Sequence, residues 1–103
     1  MMGKLVRDLI PDIIEADGKI AVTEILDDYS YFLELEIKLK EEVEEYLNAT
    51  NKTEAIEELA DIMEVMLALE KVLEGNIEEV RRNKAEKRGG FEDKIYLIEV
   101  KNN

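Results

Sequence analysis

The chain has 103 residues, with 26 acidic against 14 basic side chains and a formal charge of −12. That length suits a single domain over residues 1–103, and the negative surface would repel a nucleic-acid backbone, so binding to a DNA or RNA polymer is not expected. Cys and His are both absent, which excludes disulfides, thiolate nucleophiles, imidazole bases and His/Cys zinc sites; a bound metal must accept oxygen ligands, as magnesium, manganese and calcium do.

No basic-then-apolar leader and no apolar run of about eighteen residues is present, so neither signal peptide nor membrane span is expected and the cytoplasm is the expected location. One Pro and five Gly in a chain rich in Leu, Glu, Lys, Ile and Ala favour a mainly helical, all-α fold. Residues 4–8 lead into a short helix that begins near Pro11, where a missing N–H is harmless, and ends at Gly18. Residues 20–26, with Val22, Thr23 and Ile25, read as a short extended segment.

The strongest helical pattern runs from about residue 30 to 48. Phe32, Leu35, Leu39, Val43 and Tyr46 recur at three- and four-residue steps and form one apolar stripe. Residues 50–53 are a connection with Thr53 as the expected N-cap, and a second long helix follows from about Glu54 to Leu73, stopping at Gly75. So short a link predicts an antiparallel hairpin. Asn76 and Glu79 resemble a capping box that opens a further helix, which ends at Gly89 and Gly90. Residues 94–100 are apolar and β-branched enough for a short strand, which would pair with residues 20–26 as a two-stranded β element beside the bundle.

Two acidic pairs stand out on the hairpin. Glu42 with Glu45, and Glu58 with Asp61, are each spaced i, i+3 and so neighbour one another on a helix surface. Most acids of an acidic helical protein are simply solvated. At about 100° per residue, however, Glu42 lies some 60° from the stripe centre at Leu39, and Glu45 follows on the same flank. Glu41 and Glu44 point away and are read as solvated. On the second helix the apolar arc is broad, taking in Leu59, Ile62, Met63, Val65, Met66, Leu69 and Leu73, and supports helix burial within or between subunits. Glu58 falls inside that arc and Asp61 at its edge, while Glu57 and Glu64 lie outside; Glu70 also projects inward without an assigned role. Buried carboxylates need a partner, either Lys or Arg or a metal. Two of them about 4 Å apart repel by about 4 kcal/mol at an effective dielectric near 20, and a divalent cation compensates several at once.

Positive charge gathers elsewhere. The last helix holds Arg81, Arg82, Lys84, Lys87 and Arg88, and Lys4 and Arg7 form a smaller group near the start. Cations at a helix C-terminus are mildly stabilising in themselves. Arg81, Lys84 and Arg88 also share a face beside Gly89 and Gly90, an arrangement suited to clamping phosphate.

At these residues the chain resembles the MazG-like, all-α nucleoside triphosphate pyrophosphohydrolases. The resemblance lies in ExxE at 42–45 within KLKEEVEE (38–45), ExxD at 58–61 within EELAD (57–61), and the flanking strings KLVRDLIP (4–11) and KRGGF (87–91). It implies magnesium-dependent, or manganese-dependent, hydrolysis of a nucleoside or deoxynucleoside triphosphate to the monophosphate and pyrophosphate. Glu42, Glu45, Glu58 and Asp61 become the metal ligands, with Glu42 or Glu45 orienting the attacking water. Lys4, Arg7, Arg81, Lys84, Lys87 and Arg88 become the phosphate-binding set, and a homodimer or higher homo-oligomer is implied. Phosphoribosyl-ATP pyrophosphohydrolases share the acidic motif, but the Tyr-His pair expected after ExxD is replaced here by Met63 and Glu64, so that substrate ranks lower. The alternative is a non-catalytic acidic helical dimer that senses nucleotides or binds a protein.

Overall fold

The computed structural model describes residues 3–102 as four helices. They are α1 (Ile10–Ala16), α2 (Asp28–Leu47), α3 (Lys52–Leu73) and α4 (Ile77–Arg88). The all-α class therefore holds. Helices α2 and α3 pack together as the central hairpin, joined by residues 48–51.

Local chemistry sets each boundary. Helix α1 has Pro in its first turn and ends in a Schellman arrangement: Gly18 takes a left-handed φ of 81°, its N–H reaches Glu15, and the Lys19 N–H reaches Ile14. Asp27 caps α2 by accepting from the Ser30 N–H at 2.8 Å and the Ser30 hydroxyl at 3.2 Å, which holds its carboxyl below the usual range. Helix α3 starts two residues earlier than the sequence suggests. Asn51, not Thr53, is the cap, because its Oδ1 reaches the Glu54 N–H at 2.8 Å and draws Lys52 and Thr53 into the first turn.

Helix α3 ends at Leu73 as expected, but its cap lies one residue earlier than Gly75. Glu74, rather than Gly75, takes the left-handed conformation, at φ 55°, while the Gly75 N–H reaches back to the Glu70 carbonyl. Chain then turns directly into α4, where Asn76 Oδ1 accepts from the Glu79 N–H at 3.0 Å. Glu70 finds its role here: its carboxylate accepts the Ile77 N–H at 2.6 Å, satisfying an orphan donor of the next helix. The expected β element is not formed. Among the described residues there is no strand, and 20–26 and 94–100 run as separate irregular segments with Ile20, Val22, Ile25, Ile95 and Ile98 exposed. Alternating apolar residues alone do not make a ladder; the two stretches must also be brought alongside, and nothing in the helical scaffold does so.

The core is small. Leu35 is the one buried apolar residue among those described, and Phe32, Leu39, Tyr46, Ile62, Val65 and Leu69 are half-buried around the hairpin interface. Val43, expected in the stripe, lies at its exposed rim.

Candidate metal centre

The α2–α3 hairpin brings five acidic side chains together in two overlapping groups that share Glu42. Glu42, Glu58 and Asp61 each offer a carboxylate oxygen within 4.8 Å of the others, and Glu41, Glu42 and Glu45 form an overlapping group at the same limit. Glu45 is the exposed member, near enough to Glu42 and Glu58 to raise the carboxyl of each. The i, i+3 spacing aims each pair along one flank, and antiparallel packing closes the two flanks on one another.

Burial makes the cluster costly. Glu42 retains only 7% of its exposure. Desolvation first, then the neighbouring Glu45 and Asp61, pushes its carboxyl up to about 7 from 4.5, against the opposing pull of Lys38. Glu58 is raised for the same leading reason, with Glu45 and Asp61 adding to it. One oxygen of each residue, Oε2 of Glu42 and Oε2 of Glu58, is enclosed without a hydrogen-bond partner. Buried acceptors are normally satisfied, so these two are the site's most informative atoms. Hard oxygen donors with unused lone pairs, crowded against like charge, fit a divalent cation such as magnesium or manganese.

Two cations already border the cluster. Arg7, from the segment before α1, bonds Asp61 through its guanidinium at 2.6 Å. Lys38, one turn before Glu42, sits 3.5 Å from Glu41 and 3.8 Å from Glu42. Glu41 is thus half-buried and paired rather than solvated, which corrects the helical-wheel reading. Its long side chain folds along the helix toward Lys38, a movement that a projection of backbone angles does not capture. The role of Lys38 was missed as well, although its spacing to Glu41 and Glu42 is the usual signature of a helical ion pair.

The remaining basic residues are less convergent. Lys4 is exposed on the segment that carries Arg7. Arg81 engages Glu78 at 2.6 and 2.9 Å, a local i, i+3 pair, and Lys84, Lys87 and Arg88 face solvent. Among the described residues no ion pair joins α4 to the acid cluster. Arg7, expected to hold phosphate, is the one predicted phosphate ligand that the structure brings to the acids.

Comparison with known proteins adds similarity without chemistry. A Mycolicibacterium smegmatis protein, described as uncharacterized, is 43% identical over 56 residues; the match spans 54% of this chain and 57% of that relative. No family model matches the chain, and no solved structure matches it. Among the described residues, no helix is long and apolar enough to cross a membrane.

Proposed function

We propose that this protein is a magnesium-dependent hydrolase of nucleoside or deoxynucleoside triphosphates, releasing pyrophosphate and the monophosphate. The observation that carries the reading is the pair of enclosed, unpartnered oxygens on Glu42 and Glu58, which form a three-carboxylate group with Asp61. The resemblance of the ExxE and ExxD strings to the MazG-like pyrophosphohydrolases supplies the substrate class.

Glu42, Glu58 and Asp61, with Glu45 at the rim, are the residues that would hold the ion. When bound, magnesium polarises phosphoryl oxygens and offsets the charge of the departing pyrophosphate. The rest of the work belongs to the chain. Glu45 is the solvent-facing member and takes the proton as water attacks phosphorus and the bond to the pyrophosphate oxygen breaks. Arg7 and Lys38 limit the negative potential at the edges, and Arg7 is free to exchange Asp61 for a phosphate oxygen.

The test is pyrophosphate release from a panel of NTPs and dNTPs, with magnesium and with a chelator. Asp61→Asn and Glu42→Gln should each abolish the magnesium-dependent signal while preserving helical circular dichroism. Turnover that survives both changes would remove this reading. The second reading, a non-catalytic helical module, draws on the uncovered apolar residues of α3. It is favoured if magnesium raises the unfolding midpoint and nucleotides bind, yet no member of the panel is hydrolysed.

A further inference from the structure

We propose that Lys38 fills the place of a second metal ion, so that the centre takes one divalent cation, held by Glu42, Glu58 and Asp61. The inference deepens the metal-centre part of the proposed function and rests on it.

On acids alone the two groups are equivalent. Each joins three carboxylates within 4.8 Å, and both use Glu42. Paired metal sites hold their ions about 3.5–4 Å apart, a separation that one shared carboxylate spans. Such a hairpin would accommodate two ions with Glu42 between them.

The basic residues break the equivalence. The Lys38 ammonium lies 3.5 Å from Oε1 of Glu41 and 3.8 Å from Oε1 of Glu42, so it bridges two of the three members of the Glu41, Glu42 and Glu45 group. Its side chain is only 19% exposed, unlike that of an ordinary solvated lysine. Helix α2 itself delivers the charge, since residue 38 shares a face with 41 and 42 at i, i+3 and i, i+4. The other group has no cation fixed in this way. Its neighbour is Arg7, which pairs with Asp61 from outside the hairpin through a side chain 58% exposed. An exposed pair of that kind separates at little cost.

Glu42 shows the division within one side chain, which keeps 9% of its exposure. Its Oε1 faces the ammonium, whereas its Oε2 is enclosed without a partner, as is Oε2 of Glu58. Enclosed acceptors are normally satisfied. Among the described residues, the two left unsatisfied both belong to members of the Glu42, Glu58 and Asp61 group, and neither Glu41 nor Glu45 has one. Charge leads to the same number of ions. With all five acids ionised, Arg7 and Lys38 leave three negative charges. One divalent cation reduces these to one. A second would make the site positive and would stand beside the ammonium, where like charges repel.

Manganese titrated calorimetrically into the full chain should bind once per chain. Lys38→Met and Lys38→Gln should each bind twice, the second ion about tenfold more weakly because it joins one already on Glu42. Lys38→Arg restores the cation and should bind once. Adding Glu41→Gln to Lys38→Met should return the number to one. Paramagnetic resonance supplies a signature that a merely structural lysine would not move. Wild-type protein should give the resolved hyperfine lines of an isolated manganese ion, whereas two ions sharing Glu42 in Lys38→Met couple and lose them. Two ions in the wild-type chain overturn the proposal whether or not the variants fold, and so does one ion in folded Lys38→Met. A second ion that survives Glu41→Gln overturns its assignment to this group. Absence of any binding by the wild-type chain removes the metal centre itself, a failure distinct from finding two ions.

Discussion

Replacing Glu42 by Gln should stabilise the metal-free protein while destroying its response to magnesium. The side chain is almost enclosed, and one of its oxygens lacks a partner. Its carboxyl is raised from 4.5 to about 7 by desolvation, then by Glu45 and Asp61, with the attraction of Lys38 already set against them. Such a shift corresponds to about 3 kcal/mol of destabilisation by the ionised form at most. Water reaches the cluster past Glu45, and screening there brings the expected gain to roughly 1–2 kcal/mol. Gln has nearly the same shape, carries no charge, and offers an amide donor to the neighbouring carboxylates. At pH 8 in chelator, the midpoint of thermal unfolding should therefore rise by about 5–10 °C at matched protein concentration. Added magnesium should then stabilise the wild-type chain strongly and the variant weakly, so that the curves converge or cross. At pH 5 the wild-type Glu42 is already largely protonated, and the metal-free difference should shrink. A variant less stable than wild type in chelator, with an undiminished magnesium response, would falsify the account of Glu42 as a strained ligand.

The same residue fixes the sign of the pH dependence. Because the folded pKa is raised, the native state holds a proton that the unfolded chain releases above about 4.5. Metal-free stability should thus fall as pH rises from about 4.5 through about 7, then level off; chelated samples melted across this range test it. Saturating magnesium should reverse the trend, since ligation requires the deprotonated acids. Arg7→Met removes an ion pair whose side chains are 58% and 38% exposed, so metal-free stability should change by less than about 1 kcal/mol, while apparent magnesium affinity rises in a calorimetric titration. Leu35→Ala should cost about 2–5 kcal/mol and, in so small a core, leave little cooperative unfolding by circular dichroism. Glu74→Gly relieves a left-handed non-glycine residue at φ 55° and should stabilise by up to about 1 kcal/mol in a denaturant titration.

Much of this molecule was legible in one dimension. The two long helices, their antiparallel order and the shared flanks of Glu42 with Glu45 and of Glu58 with Asp61 follow from local periodicity, because i, i+3 neighbours on a helix are fixed by the backbone itself. The cap at Asn76 was readable for the same reason. Errors cluster where long side chains or distant segments choose their own partners. Thr53 lost the cap to Asn51, Glu41 was drawn in by Lys38, and Arg7 crossed from the first segment to Asp61. Residues 20–26 and 94–100 have strand-like composition but no alignment to each other, since pairing is decided by where the helices deliver them.

Sequence by itself determined the helices, the Asn76 cap and the acids that share a flank, because each depends on contacts three or four residues apart. Only the tertiary structure decided that two of those carboxylates lose solvent and partner together, that Arg7 reaches Asp61, and that one arc of α3 stays uncovered. Those outcomes depend on how far apart α2 and α3 settle and on which face α4 leaves open, quantities that no local pattern encodes.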